Sequence, residues 1–403
     1  MAENLKGKSP FYPGQPVPVE FFAGRTAQIE RIVIRGVAQV SQGKPMAFFI
    51  EGEYGIGKSS FANFTQWIAE KDHGLHPIYV TLGGCRTLDD VANAVLESTV
   101  RSGAMEPHRL EKLGDWIGKY IGKQELFGVS LNLDALRRDA PSISTPFGLL
   151  SFLGQMLGRL KETGTKGVYL VLDEINGITA NEDFAHFIKA VVDTNAMQKT
   201  PLPLLLVLGG VQERRREMIQ RHQPVDRIFD VVTIEPMTPK EMETFFIRAF
   251  ESVQMTVDED ALALMTHYSA GFPKIMHLIG DAAYWMVQSG KIVRQDALMA
   301  VLNAADEVGK KYVDQQVYKA LRSKDYRAIL SKIGKLNPDS MSFMKKEAAA
   351  GLTEPQRKKL NNFLQKMKAL KVLRSGDIQG EYVFNLRMVR LYIWLQTLGE
   401  AKE

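Results

Sequence analysis

Apolar positions change their period along the chain, and the changes divide it. Between residues 46 and 237, short unbroken apolar runs alternate with stretches of helical spacing. "MAFFIEG", "HPIYVTL" (76–82), "GVYLVLD", "LPLLLVLGG" and "VVTIEPM" are the runs. Continuous runs of this length suit parallel strands buried on both faces. The segments between them place apolar residues three and four apart. "SSFANFTQWIAE" does so at Phe61, Phe64, Trp67 and Ile68, and "TLDDVANAVLESTVRSGA" at Val91, Ala94, Val95 and Val100. "PFGLLSFLGQMLGRLKET" and "NEDFAHFIKAVVDT" are further helices, and "VEFFAGRTAQIERI" starts one upstream with Thr26 as its cap. Strands alternating with helices predict an α/β fold with a parallel sheet and crossover helices. Residues 104–147 follow no clean pattern: an amphipathic stretch passes into an alternating one.

After residue 236 the strand signal stops. "TPKEMETFFIRAFESV" carries Thr238 as a cap, Pro239 in the first turn and Glu241 in capping-box position. "DEDALALMTHYSAG", "PKIMHLIGDAAYWMVQSG" and "RQDALMAVLNAADEV" follow as helices, the first two ending at glycine. From about residue 311 the pattern predicts a long helix (312–334), then "SFMKKEAAAG", a turn, and "LTEPQRKKLNNFLQKMKAL" capped by Thr353 with Gln356. "KVLRSGDIQGEYVFN" reads as a hairpin turning near Gly376 to Gly380. Helix, turn, helix and hairpin make a winged helix. The expected domains are therefore 1–236, an α/β domain; 237–310, a helical lid; and 311–403, a winged helix.

The chemistry sits at the ends of two runs. After "MAFFIEG", Gly52, Gly55, Gly57, Lys58 and Ser59 fit G-x-x-x-x-G-K-[ST], the phosphate loop. Amides of residues 55 to 60, Ser60 included, can converge on phosphate oxygens at a helix N-terminus. Lys58 would reach the β- and γ-phosphates, and Ser59 would sit on Mg²⁺. About 115 residues later "GVYLVLDEIN" ends in Asp173 and Glu174, a Walker B pattern. Asp173 would hold Mg²⁺, and Glu174 would orient or deprotonate water. Neither pattern alone is decisive; their order and spacing together point to ATP or GTP.

Composition narrows the setting. The 403 residues, 45% hydrophobic and 24% charged, suit an ordinary globular protein of two or three domains. A single cysteine, Cys85, excludes an internal disulfide framework and suits a reducing cytoplasm, where a buried small residue is the reading for it. The opening "MAENLKGKSP" lacks the apolar core of a signal peptide, and no uncharged apolar stretch is long enough for a membrane span. The formal charge of +5 is unevenly spread: residues 343–390 hold 11 Lys or Arg and 4 Asp or Glu, a net +7. That makes nucleic acid a candidate partner of the C-terminal module.

Taken in order, "FFAGR", "GEYGIGKS", "LVLDE", an Arg-bearing segment before the last strand, a lid with "GFPK" and a winged helix resemble the AAA+ ATPases of the origin-recognition type and the related prokaryotic and STAND signalling ATPases. The resemblance spans roughly residues 10–400, with the two phosphate motifs its specific part. It implies that Phe22, Gly24 and Arg25 pack near an adenine. It implies an arginine finger in "RHQPVDRIFDVVTI", Arg227 before Arg221, acting on a neighbour's ATP in a homo-oligomer. It places Lys274 where such lids carry a second sensor, although the usual residue there is Arg and the signalling branch can lack the role. One departure stands out: "LLLVLGG" ends in Gly209 and Gly210 where a polar sensor is expected, and Gln212 is the nearest polar residue. This favours a slow nucleotide switch. Two functions follow. One is an ATP-controlled binder of duplex DNA, with Arg357, Lys358, Lys359 and Arg374 meeting phosphates. The other is a signalling or defence switch whose winged helix meets a protein partner. A metabolic kinase is disfavoured, since no acceptor motif is visible.

Overall fold

The computed structural model describes residues 7–103, 142–337 and 340–399. Most of the unpatterned stretch, 104–141, lies outside the described residues. Two compact units form, one from Pro16–Glu235 and one from the described parts of Met1–Gln15 and Pro236–Glu403.

The first unit is built on a five-stranded sheet: β1 (Met46–Glu51), β2 (Leu75–Thr81), β3 (Gly167–Asp173), β4 (Leu204–Gly210) and β5 (Asp230–Thr233). The order is β2-β3-β4-β1-β5 and every pair is parallel. All of β3 and β4 is buried, as unbroken apolar runs require when both faces are covered. β4 lies between β3 and β1, so the turn after β1 and the carboxylates after β3 open at the same edge of the sheet. Open α/β sheets bind ligands at that C-terminal edge.

Helix Lys58–His73 differs from its expected face. Its buried residues are Phe61, Ala62, Thr65, Gln66 and Ala69, and Trp67 is exposed. Two polar side chains replace the expected aromatics because each finds partners under the helix. Thr65 Oγ1 meets the Tyr169 hydroxyl at 2.9 Å, and Gln66 Nε2 donates to the Ile78 and Tyr169 carbonyls at 3.1 and 3.0 Å. Phe64 turns outward and stacks on Phe22, ring centroids 4.5 Å apart. Upstream, Thr26 is not the cap: helix Thr26–Ile32 begins with it, and Arg25, in a left-handed conformation, precedes it.

In the second unit, helices Pro239–Glu251, Glu259–Ser269, Pro273–Met286 and Arg294–Val308 pack as the sequence predicts, with the Thr238–Glu241 capping box formed. Two features depart from expectation. A two-residue parallel pair, β6 (Thr256–Val257) with β7 (Lys291–Ile292), joins the loops between the helices. Helix Pro273–Met286 also ends in extended backbone at Val287, three residues before the turn at Gly290 whose φ is +75°. The N-terminal segment belongs here too. Phe11, 4% exposed, sits among Phe245, Phe246, Phe250 and His277. Tyr12 N–H donates to His277 Nδ1 at 3.1 Å, and Ser9 Oγ to Asp281 at 2.6 Å. Gly280 makes room for the Phe11 ring, which a Cβ would meet at 2.2 Å.

The expected helix over 312–334 is two pieces. A π-helical segment, Gly309–Tyr318, ends at a break, and a new helix covers Lys324–Gly334. The break is stabilised by side chains that take the freed carbonyls: Lys366 Nζ bonds Ala320 O and Arg327 Nε bonds Leu321 O. Helices Lys345–Ala349 and Glu354–Ala369 follow, then a sheet ordered β8 (Ser342–Met344), β10 (Glu381–Phe384), β9 (Leu373–Ser375), all antiparallel, and helix Arg387–Gly399.

Burial lowers the His277 pKa to about 4 from its ordinary 6.5. Between those values the unfolded chain binds the extra proton, so stability is complete above pH 6.5 and falls as pH drops toward 4. The full loss is about 3 kcal/mol. Urea midpoints of the wild type should therefore decline over that window, and His277→Gln should remove this part of the slope. Phe11→Ala should lower stability at neutral pH by about 3 kcal/mol. A Phe11→Ala midpoint equal to wild type would show that the N-terminal segment carries no weight.

Candidate functional site

The turn after β1 has the backbone a phosphate cradle needs. Gly55 and Gly57 adopt φ of +75° and +94°, and a Cβ on Gly52 would meet the Ile234 carbonyl at 2.6 Å. Lys58 starts the following helix and folds back, its ammonium donating to the carbonyls of Gly52 and Glu53, each at 2.9 Å. Burial pushes the Lys58 pKa down, while Asp173, Glu53 and Glu174 pull it back up and Arg25 opposes them. A cation so placed gains from an anion brought into the loop. Arg25 is buried and one of its terminal nitrogens donates to the Ile56 carbonyl, so it is tied to the loop's backbone.

Asp173 is 3% exposed and collects three donors. Ser59 Oγ donates to its Oδ2 at 2.6 Å, the Tyr79 hydroxyl donates to the same oxygen, and the Glu174 N–H reaches Oδ1 at 2.8 Å. Ser59 and Asp173 thus touch across 114 positions of sequence. Glu174 is exposed at the strand tip, with φ +56°. Its carboxylate lies against Gly83, where a Cβ would come within 2.7 Å of Oε2. Among the described residues no group of three or more His, Cys, Asp or Glu could hold a metal by itself. The Ser59–Asp173 pair fits Mg²⁺, a hard cation that takes one or two protein oxygens beside substrate phosphates and water.

The glycine at the end of β4 has a steric cause. A Cβ on Gly209 would stand 2.4 Å from Asp173 Oδ1. The space a polar sensor would use is taken by the Asp173 carboxylate. Gln212 is exposed in the first turn of helix Gln212–Arg221.

Tyr79 escaped the sequence reading, although its position was deducible. In register, Thr81 lies opposite Asp173, and Tyr79 is two residues back on the same face. Burial and the Asp173 charge hold its hydroxyl in the protonated, donating form. Cys85 is a buried core residue, and burial pushes its thiol pKa up, which disfavours the thiolate. Arg227 is exposed in the 3₁₀ turn Gln223–Ile228, away from these contacts, and Arg221 pairs with Glu182 at 3.4 Å. Lys274 is exposed in the first turn of helix Pro273–Met286, in the second unit.

No family model matches the chain, and no curated protein does. Solved structures do. The ORC2 protein of Aeropyrum pernix, in ADPNP–ADP complexes, aligns with a TM-score of 0.60 at 11% identity over 97% of this chain and 96% of that one. A Walker-type ATPase of Pyrococcus abyssi gives 0.58 at 17% identity over 93% and 96%. Cdc6p from Pyrobaculum aerophilum gives 0.51 at 12% over 98% of both chains. The fold is that of the Orc and Cdc6 proteins. It comprises the parallel five-stranded sheet of a P-loop AAA+ fold, then helices, then the antiparallel sheet of a winged helix. Among the described residues no helix is long and apolar enough to cross a membrane.

On the winged helix of this Orc/Cdc6-type fold, the 11 basic residues of 343–390 are not all on the surface. Arg390 is buried, donating to the carbonyls of Gly334, Leu336 and Asn337, and so closes the end of helix Lys324–Gly334. Arg387 bonds His267 at 2.8 Å. Arg357, Lys358 and Lys359 are exposed in the first turns of helix Glu354–Ala369, and Arg374 is exposed on β9. Arg357 pairs with Glu354 at 3.6 Å and Lys359 with Asp325 at 2.5 Å, while Lys358 and Arg374 have no ion-pair partner among the described residues.

Gly209→Ala should displace the Asp173 carboxylate and weaken Mg²⁺–ATP affinity by about tenfold or more, a change of roughly 1.4 kcal/mol. Gly210→Ala meets the Ile175 side chain at 3.0 Å and the Phe49 ring at 3.6 Å, not the carboxylate, and should change it little. Isothermal titration of the two variants checks this. Equal affinities would show that the Gly209 contact does not set the position of Asp173.

Proposed function

We propose that the chain is an ATP-binding switch of the AAA+ type whose basic winged helix engages duplex DNA. The observation that carries the nucleotide part is the 2.6 Å contact of Ser59 with Asp173 beneath a loop that already holds a folded-back lysine. In this reading Lys58 leaves the Gly52 and Glu53 carbonyls for the β- and γ-phosphates. The loop amides from Gly55 to Ser60 bind phosphate oxygens, and Arg25 keeps the loop in shape. Ser59 and Asp173 would hold Mg²⁺, which neutralises phosphate charge. Glu174 accepts a proton from attacking water or orients it. Arg227 completes a neighbouring subunit's site in an ATP-bound homo-oligomer. With Gly209 in the sensor position, one polar contact to the phosphates is missing, which supports slow turnover.

The DNA part rests on the exposed cluster Arg357, Lys358 and Lys359 at the start of a helix that follows a turn, with Arg374 on the wing. A second reading, a signalling switch with a protein partner, is favoured by the two intramodule ion pairs that already engage Arg357 and Lys359.

Lys58→Ala should abolish ATP binding with the fold intact. Glu174→Gln should bind ATP and turn it over far more slowly. Normal affinity in the first variant, or parental turnover in the second, would remove that residue from the mechanism. Neutralising Arg357, Lys358 and Lys359 together should make the slope of log affinity against log salt shallower by about 2 to 3 units, with ATP binding unchanged. Wild-type DNA affinity no better than that of a chain ending at residue 310 would favour the protein-partner reading.

A further inference from the structure

Glu51 closes β1 immediately before the phosphate loop and is 4% exposed. A carboxylate so deep needs partners, and it has two. Arg215 Nε donates to its Oε2 at 2.8 Å, and Thr233 Oγ1 donates to Oε1 at 3.2 Å. The same guanidinium extends further: a terminal nitrogen of Arg215 donates to Asp226 Oδ1 at 2.6 Å. Asp226 lies in the 3₁₀ turn Gln223–Ile228, next to Arg227. Burial opposes the Arg215 charge, but hydrogen bonds and attraction from Glu51 and Asp226 outweigh it and raise its pKa. Neutralising Glu51 needs only one cation, and a lysine would serve. The bridge to Asp226, whose side chain is 44% exposed, goes beyond that need. A planar guanidinium fixes the separation of the two carboxylates it joins, which an ammonium on a flexible stem does not.

We propose that Arg215 is a positioning residue that ties the root of the phosphate loop to the turn presenting Arg227. This rests on the reading of Arg227 as acting on a neighbouring subunit's nucleotide.

The test is subunit mixing. Lys58→Ala subunits, whose own sites are dead, donate Arg227 to Arg227→Ala subunits, whose loops are intact. The mixture should recover ATPase activity. Further substitutions go into the donor only, so any loss reports on the presentation of Arg227 and not on the donor's own loop. Asp226→Ala, and Arg215→Met combined with Glu51→Gln so that no buried charge is left alone, should lower the recovered kcat by about 10²-fold, the effect of a misplacement of roughly 1 Å. The KM for ATP, set by the acceptor's loop, should stay the same. Arg215→Lys keeps the charge against Glu51 without the fork and should also fail as a donor. Melting temperatures check that each donor folds. Because Asp226 is half-exposed, its variant keeps the test decisive if the Arg215 variants unfold. Full recovery with Asp226→Ala or Arg215→Lys donors would overturn the proposal and leave Arg215 as the neutraliser of Glu51. No recovery from the parent mixture would instead overturn the trans role of Arg227, and this inference with it.

Discussion

The Asp173 carboxylate is the point on which the first unit's architecture converges. A buried carboxylate must be met by hydrogen bonds as well as by the attraction of a nearby cation, here Lys58, and each such bond is worth about 1.5–3 kcal/mol when one partner is ionised. Asp173 obtains them from three directions: Ser59 at the start of the loop helix, Tyr79 on β2 and the backbone of Glu174. These bonds fix the helix N-terminus over the tip of β3. They also explain the glycine at the end of β4, because the carboxylate occupies the space a side chain at Gly209 would need. The three-donor arrangement and the missing polar sensor are two consequences of one packing choice.

What could be read from the chain follows from how local each signal is. The strands and the phosphate loop were legible because a continuous apolar run and a glycine spacing are properties of adjacent residues. The loop helix was legible as a helix but not in its face, because Thr65 and Gln66 are made buryable by partners on β2 and β3. The break after Tyr318 was hidden for the same reason: the groups that satisfy its carbonyls include Lys366, 46 residues away. Charge counting erred where geometry removes a charge from the surface, as it does for Arg390. The Glu51–Arg215 pair spans 164 positions, and its only trace in the sequence is a carboxylate at the end of a buried strand.

The Glu51–Arg215 pair illustrates how a buried ion pair can serve geometry. Removing one partner of such a pair is costly, whereas replacing both with apolar groups is often neutral. Stability alone therefore gives little reason for an ion pair at this place. What the pair does geometrically is hold two segments at a set distance, joining the loop root to the turn at Asp226.

The same scale of energies bears on the winged helix. Its ion pairs, Arg357 with Glu354 and Lys359 with Asp325, are solvent-exposed, and such pairs contribute about 0–1 kcal/mol each. Exchanging Glu354 for a phosphate therefore costs Arg357 little. Each phosphate neutralised also releases condensed counterions, a gain that grows as salt is diluted. The intramodule pairs thus weaken a backbone contact without forbidding it, and at low ionic strength the counterion gain outgrows them. A protein partner would have to compete with the same acidic neighbours but would release no comparable ion atmosphere. The steepness of the salt dependence, more than the presence of the pairs, separates the two partners.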